Sequence, residues 1–182
     1  MRRISDPTSP FAMPERPRRG SGPSRSSCSF CMAPPGGTRP SNTELSVQSR
    51  SVRLKAMVWI LRPGASGPSV LLLERPPHRG GGEHPVTGKA EPGETAAECA
   101  AREVLEETGL GGEVVDLQFA HQYQRKKGPF EEHAFLLRAA AGATPSLSDE
   151  HIGYRWVSPQ EARAAVRWPA QARALDLALQ AF

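Results

Sequence analysis

The chain has 182 residues, 38% of them hydrophobic, with a formal net charge of +4 at pH 7 and 3 cysteines. That length suits one domain of ordinary size plus an appendage. No apolar run approaches the roughly 18 residues of a membrane-spanning helix, and the few cysteines make no disulfide framework. A reduced, cytoplasmic protein is therefore expected.

The charge is unevenly spread. Residues 1–50 hold eight Arg against three acidic residues, a net of +5, which leaves fifteen basic and sixteen acidic residues in 51–182, a net of −1. Rich in Ser, Pro and Arg and without a hydrophobic period, residues 1–50 read as a disordered tail. An over-extended reading frame, with its true start at Met13, Met32 or near Met57, is the other reading. Arg2-Arg3 lacks the apolar segment of a secretory or twin-arginine signal. Cys28-Ser-Phe-Cys31 is half a zinc site at most. The domain proper, 51–182, has no basic balance with which to grip a nucleic-acid polymer.

Along the domain, Ser51–Arg62 and Ser69–Arg75 are β-rich runs, and the Pro- and Gly-rich segment between them predicts a hairpin. A polar loop, Pro76–His84, leads into Pro85-Val86-Thr87-Gly88. Thr95-Ala96-Ala97-Glu98 is a capping box that starts a helix near Ala96, and Gly109 suits the left-handed position that ends one. On a helical wheel Ala97, Ala101, Val104 and Thr108, flanked by Ala100 and Leu105, form a small-residue stripe expected to pack on a sheet. Glu113–Gln124 reads as a strand, Lys126-Lys127-Gly128 as a turn, and Phe130–Ala139 as the returning strand. Gly153–Val157 is a short strand. Ser158, with Glu161 three residues on, caps a helix, and a last amphipathic helix runs from about Pro169 to Ala181. The order of elements predicts an α/β fold, an α/β/α sandwich around a mixed sheet.

Glu103, Glu106 and Glu107 sit three and four residues apart, which brings their carboxylates together on one side of the helix. Three like charges near a helix C-terminus repel one another and oppose the helix dipole. A hard divalent cation resolves that conflict, and Mg²⁺ or Mn²⁺ prefers such oxygen ligands and also bridges phosphates. Gly88 lets backbone approach a metal or phosphate closely. Arg102 lies two turns after Glu94, a spacing that suits an ion pair tying loop to helix.

Gly88, five free positions, Glu94, seven free positions, Arg102-Glu103-Val104, one free position, Glu106-Glu107, one free position and Gly109-Leu110 together match the Nudix box without a miss. The chain therefore resembles the Nudix hydrolases, which cleave diphosphate linkages with divalent metal. The resemblance implies metal ligation by Gly88, Glu103, Glu106 and Glu107, with Glu94 and Arg102 as the orienting pair. It implies Mg²⁺ as the cofactor and Mn²⁺ as its substitute. Glu106 and Glu150 are the two candidates for the base, Glu103 shares the catalytic cluster, and Arg75 is a candidate phosphate contact.

Val86-Thr87-Gly88 through Glu94, and Glu150-His151-Ile-Gly-Tyr154-Arg-Trp156, resemble segments of bacterial dihydroneopterin triphosphate pyrophosphatases. That implies a small nucleotide or pterin triphosphate as substrate and pyrophosphate as product. Glu83 stands where that subgroup often has an aromatic residue, which departs from the pattern for ring stacking. ADP-ribose and dinucleoside polyphosphates are the alternative substrates. A non-catalytic sensing module is a further alternative, against which every box residue is present. Isopentenyl diphosphate isomerase chemistry needs a catalytic cysteine, which Cys99 in the box helix matches poorly. Monomer and homodimer both remain open.

Overall fold

The computed structural model describes residues 52–182. The expected disordered tail, with Cys28 and Cys31, lies outside the described residues. The strands are β1 (Arg53–Gly64), β2 (Gly67–Glu74), β3 (Glu83–His84), β4 (Val86–Lys89), β5 (Val114–Arg125), β6 (Gly128–Arg138) and β7 (Gly153–Val157). The helices are α1 (Ala96–Thr108), α2 (Pro159–Ala165) and α3 (Pro169–Ala181).

Strand β1 organises the sheet. Its run Ala56–Leu61 is buried on both faces, as a central strand covered by helices on each side must be. Along one edge β1 runs parallel to β6; along the other it pairs antiparallel with β4 through its first half and with β2 through its last residues. The sheet order is β3-β2-β1-β6-β5, with β4 added on β1 and β7 on β2. The sheet is therefore mixed.

Alternate side chains of β1 serve the two faces. Ala56, Val58 and Ile60 pack with Leu71, Leu73 and Phe135 against Cys99, Ala100 and Val104 of α1. Met57, Trp59 and Leu61 pack with Val70, Leu72 and Leu136 against Ala162 of α2 and Ala174, Leu175 and Ala178 of α3. This is the expected α/β/α sandwich. Among the described residues no helix is long and apolar enough to cross a membrane.

Two local expectations are corrected. The β1–β2 connection is tighter than a six-residue turn: Pro63 pairs with Pro68 and Gly64 with Gly67, leaving Ala65-Ser66 as the turn. Prolines fit there because β1 has run past its β6 partner, whose register ends at Leu61↔Arg138, so a missing N–H breaks no ladder. In α1, Ala97 and Ala101 are exposed and Leu105 is 60% exposed. Ala100, Val104 and Thr108 are buried as expected, joined by Cys99 and Glu107 in place of Ala97, Ala101 and Leu105. The stripe is rotated because the helix docks through part of its acidic side.

Candidate active site

Helix α1 is fixed at both ends by local chemistry. The Thr95 hydroxyl accepts from the Glu98 N–H, the Glu98 carboxylate accepts from the Thr95 N–H, and Gly109 closes the helix with φ 64°. Strand β4 lies alongside and sets Gly88 opposite Ala56 of β1. A methyl group at Gly88 would fall 1.8 Å from Cδ of Glu103. Only glycine lets the Glu103 carboxylate lie directly on this strand.

Arg102 organises the surrounding charges. Its Nε and Nη2 donate to the two oxygens of Glu94, each at 2.9 Å, which is the expected loop-to-helix pair. Its Nη1 donates to Glu103 at 2.9 Å and to Glu106 at 3.0 Å, and Nη2 also donates to the Lys89 carbonyl at 3.0 Å. Hydrogen bonding to Glu94, with the further pull of Glu103 and Glu106, raises the Arg102 guanidinium above its ordinary range. The same bond from Arg102 holds the Glu94 carboxyl below its ordinary range.

Glu107 is only 5% exposed, and its Oε2 has no hydrogen-bond partner. Burial, reinforced by repulsion from Glu103 and Glu150, pushes its carboxyl up to about 8. Glu103 is also raised, chiefly by burial. The Nε2 of His151 stands 3.8 Å from Glu107, outside hydrogen-bond range, and burial lowers the His151 pKa. Both ring nitrogens of His151 are buried without a partner. An orphaned carboxylate oxygen beside a second, half-buried carboxylate is a donor set that a hard cation satisfies.

As the side chains stand, no three His, Cys, Asp or Glu groups among the described residues converge on one point as ligands. Arg102 accounts for this by holding Glu103 and Glu106. Both would release its Nη1 to face a cation, while Glu94 keeps the rest of the guanidinium.

These groups open into a cavity of about 980 Å³ lined by Gly88, Glu103, Glu106, Glu107, Glu150 and Arg75 among others. Arg75 is half-buried and forms no ion pair among the described residues. Glu150 reaches the cavity from the loop before β7 and is held by Arg79 at 2.8 Å, which keeps its carboxyl below the ordinary range. Every candidate ligand, base and phosphate contact read from the sequence thus borders one space.

Residues 52–178 match the NUDIX domain. The chain belongs to the Nudix family. It is 39% identical over 92 residues to the octanoyltransferase of Myxococcus xanthus, covering 48% of this chain and 26% of that protein. It is 39% identical over 72 residues to a putative 8-oxo-dGTP diphosphatase of Bacillus subtilis (strain 168), covering 40% of this chain and 47% of that protein. The chain thus spans about a quarter to a half of the length of these curated relatives. Its fold is similar to that of the E. coli dihydroneopterin triphosphate pyrophosphohydrolase, with a TM-score of 0.62 and 23% identity over 71% of this chain and 96% of that one.

Outside the Nudix box, the structure adds residues that sequence reading did not single out. Lys55, His84, His121, Glu132 and Trp168 all line the same cavity. The available signal was charge within strands: Lys55 stands just ahead of the buried run Ala56–Leu61, and Glu132 just ahead of the buried run Ala134–Leu137. Glu83, in contrast, turns away from the cavity and forms a bidentate pair with Arg155 at 2.7 and 2.8 Å. His133 bonds to Glu131 at 2.8 Å rather than to any box residue. Cys99 is fully buried, with its thiol pushed up to about 11 by desolvation, which makes it a poor nucleophile.

Proposed function

We propose that residues 51–182 form a Mg²⁺-dependent pyrophosphohydrolase that cleaves a diphosphate linkage in a nucleoside triphosphate-like substrate. Dihydroneopterin triphosphate and (d)NTPs are the candidate substrates, with release of pyrophosphate. The observation that carries this reading is the buried Glu107 oxygen without a partner, beside a Glu103 carboxylate seated on Gly88. The neighbouring proteins named for triphosphate substrates agree with it in chemistry.

Gly88, Glu103, Glu106 and Glu107 would hold the metal, which when bound lowers the pKa of a water and offsets charge on the phosphates. Arg102 keeps Glu94 in place and leaves the helix face available. Arg75, which forms no ion pair among the described residues, is placed to meet a phosphate oxygen. Water attacks phosphorus in line, the bridging P–O bond breaks, and the proton of the water passes to a carboxylate.

Glu106 and Glu150, the two candidate bases, border the cavity and are 57% and 55% exposed at the side chain. Glu106 stands on the box helix beside Glu103 and Glu107, whereas Glu150 comes from the loop before β7 and is paired with Arg79, so Glu106 is assigned as the base. Glu106→Gln should lower kcat by roughly 10²–10⁴-fold with the melting temperature retained, whereas Glu150→Gln should lose less than about tenfold. Steady-state rates on a triphosphate panel decide the matter. A near wild-type rate in Glu106→Gln would overturn the assignment.

A further inference from the structure

The cavity has a second end that the Nudix box does not build. Its floor is a row of side chains in register across the sheet. Lys89 of β4 lies opposite Lys55 of β1, Lys55 opposite Glu132 of β6, and Glu132 opposite His121 of β5. Residues directly opposite in neighbouring strands share a face, and all four line the cavity.

Glu132 is the unusual member, at 7% exposure. A buried carboxylate is costly unless it is paired and hydrogen-bonded. Lys55 donates to its Oε1 at 2.6 Å. Its Oε2 accepts no hydrogen bond among the described residues: the nearest donor, His121 Nε2, is 3.6 Å away, outside bonding range. The Nδ1 of His121 is buried without a partner. An ion pair kept for stability alone would be a weak device here, and it would leave both of these atoms unexplained. Aromatic surface flanks them. Tyr123 stacks on the His121 ring at 5.4 Å, and Trp168, 58% exposed, stands on the rim ahead of α3.

We propose that Glu132, with Lys55 and His121 beside it and Tyr123 and Trp168 as aromatic walls, reads the heterocycle of the substrate. The ring it takes presents two adjacent N–H donors, the edge that guanine and pterin share. This rests on the reading that the box end of the cavity holds the phosphates. A carboxylate only accepts hydrogen bonds, and a ring N–H beside an exocyclic amino group matches its two oxygens in bidentate fashion. Adenine offers a ring acceptor beside its amino group, so one lone pair would face the carboxylate. Sites of this kind reject analogues that lack the bonded group. From β4, which carries Gly88, to β6 is two strand spacings, about 10 Å, a reach suited to the linker between phosphate and ring.

The test uses the full chain and GMP, neopterin monophosphate and AMP, none of which contains a diphosphate linkage. Binding is thereby read apart from hydrolysis, and the first two probes separate a nucleobase source from a pterin source. GMP or neopterin monophosphate should bind roughly tenfold or more tighter than AMP. Glu132→Gln, which puts an amide donor against the ring donors, should reduce that preference to under about twofold. Equal binding of all three to the wild type would overturn the proposal, whether or not the variant folds. So would a preference that survives in a Glu132→Gln protein of unchanged melting temperature. A ring preference with no triphosphate cleaved would sink the hydrolase reading and leave this subsite standing. Cleavage of dGTP, dihydroneopterin triphosphate and dATP at equal rates would do the reverse.

Discussion

Arg102 donates to three carboxylates and one backbone carbonyl, so a single side chain absorbs charge that the acidic box face otherwise lacks the means to offset. Its two ends have different work. The bidentate bond to Glu94 ties loop to helix through the fixed fork of the guanidinium. The Nη1 end is shared between Glu103 and Glu106. The Glu94–Arg102 pair is legible in the spacing as well as in the Nudix resemblance, because the two are eight residues apart, close enough for local geometry to favour the contact. His84, by contrast, gave no local sign of its environment. Its ring is buried, its Nδ1 donates to the Pro85 carbonyl at 2.7 Å, and desolvation, followed by the nearby Arg75, lowers its pKa to about 4 from the ordinary 6.5. The sign follows directly: between those values the unfolded chain binds a proton that the folded chain refuses, so stability is lost as pH falls through that window. His84 should account for about 2 kcal/mol of the loss between about pH 7.5 and about pH 5. Urea unfolding of the wild type and His84→Asn, which keeps an N–H for Pro85, measures this. The variant should lose less stability on acidification; an equal loss in both proteins would contradict the account.

At the scale of elements, α1 shows what a sequence records and what it does not. Both of its ends were legible, because the Thr95–Glu98 box and the Gly109 cap are contacts within a few residues. Its orientation was not. Counting small and apolar positions pointed to Ala97, Ala101 and Leu105, yet the helix buries Glu107 and seats Glu103 on β4. Packing of a functional carboxylate against a glycine overrides the apolar pattern, and only the partner strand reveals it. The site's far wall was hidden for a related reason: Lys55 and Glu132 are 77 residues apart and meet through the parallel β1–β6 register, which no local pattern encodes. The β4–α1 contact also yields a prediction. In Gly88→Ala the added methyl meets the end of the Glu103 side chain, so the carboxylate should swing away while the helix stays. Melting temperature should remain near wild type, while kcat/KM falls by roughly 100-fold, a transition-state loss of about 2.7 kcal/mol. Full activity in this variant would show that Glu103 need not lie on Gly88.

For the molecule as a whole, the sheet separates two tasks. One face packs α1 and presents the box; the other packs α2 and α3 and presents the Lys55–Glu132–His121 row, with one cavity open to both. This division explains why the box spacing identified the family while the attached group stayed beyond its reach: the residues proposed to read that group come from three strands and the start of a distant helix. The domain reading adds a prediction. Deletion of residues 1–50 should leave kcat and melting temperature within experimental error of the full chain, as turnover assays and calorimetry will show, and a collapse of either would assign the tail a part in the domain. The central claim, that the acidic box serves a cation for diphosphate cleavage, is tested most directly by metal removal and return. Pyrophosphate release from dihydroneopterin triphosphate and (d)NTPs, followed with Mg²⁺, after chelation and after Mg²⁺ is restored, should appear, vanish and reappear. Release that persists through chelation, or its absence from every substrate with Mg²⁺ present, would contradict the account.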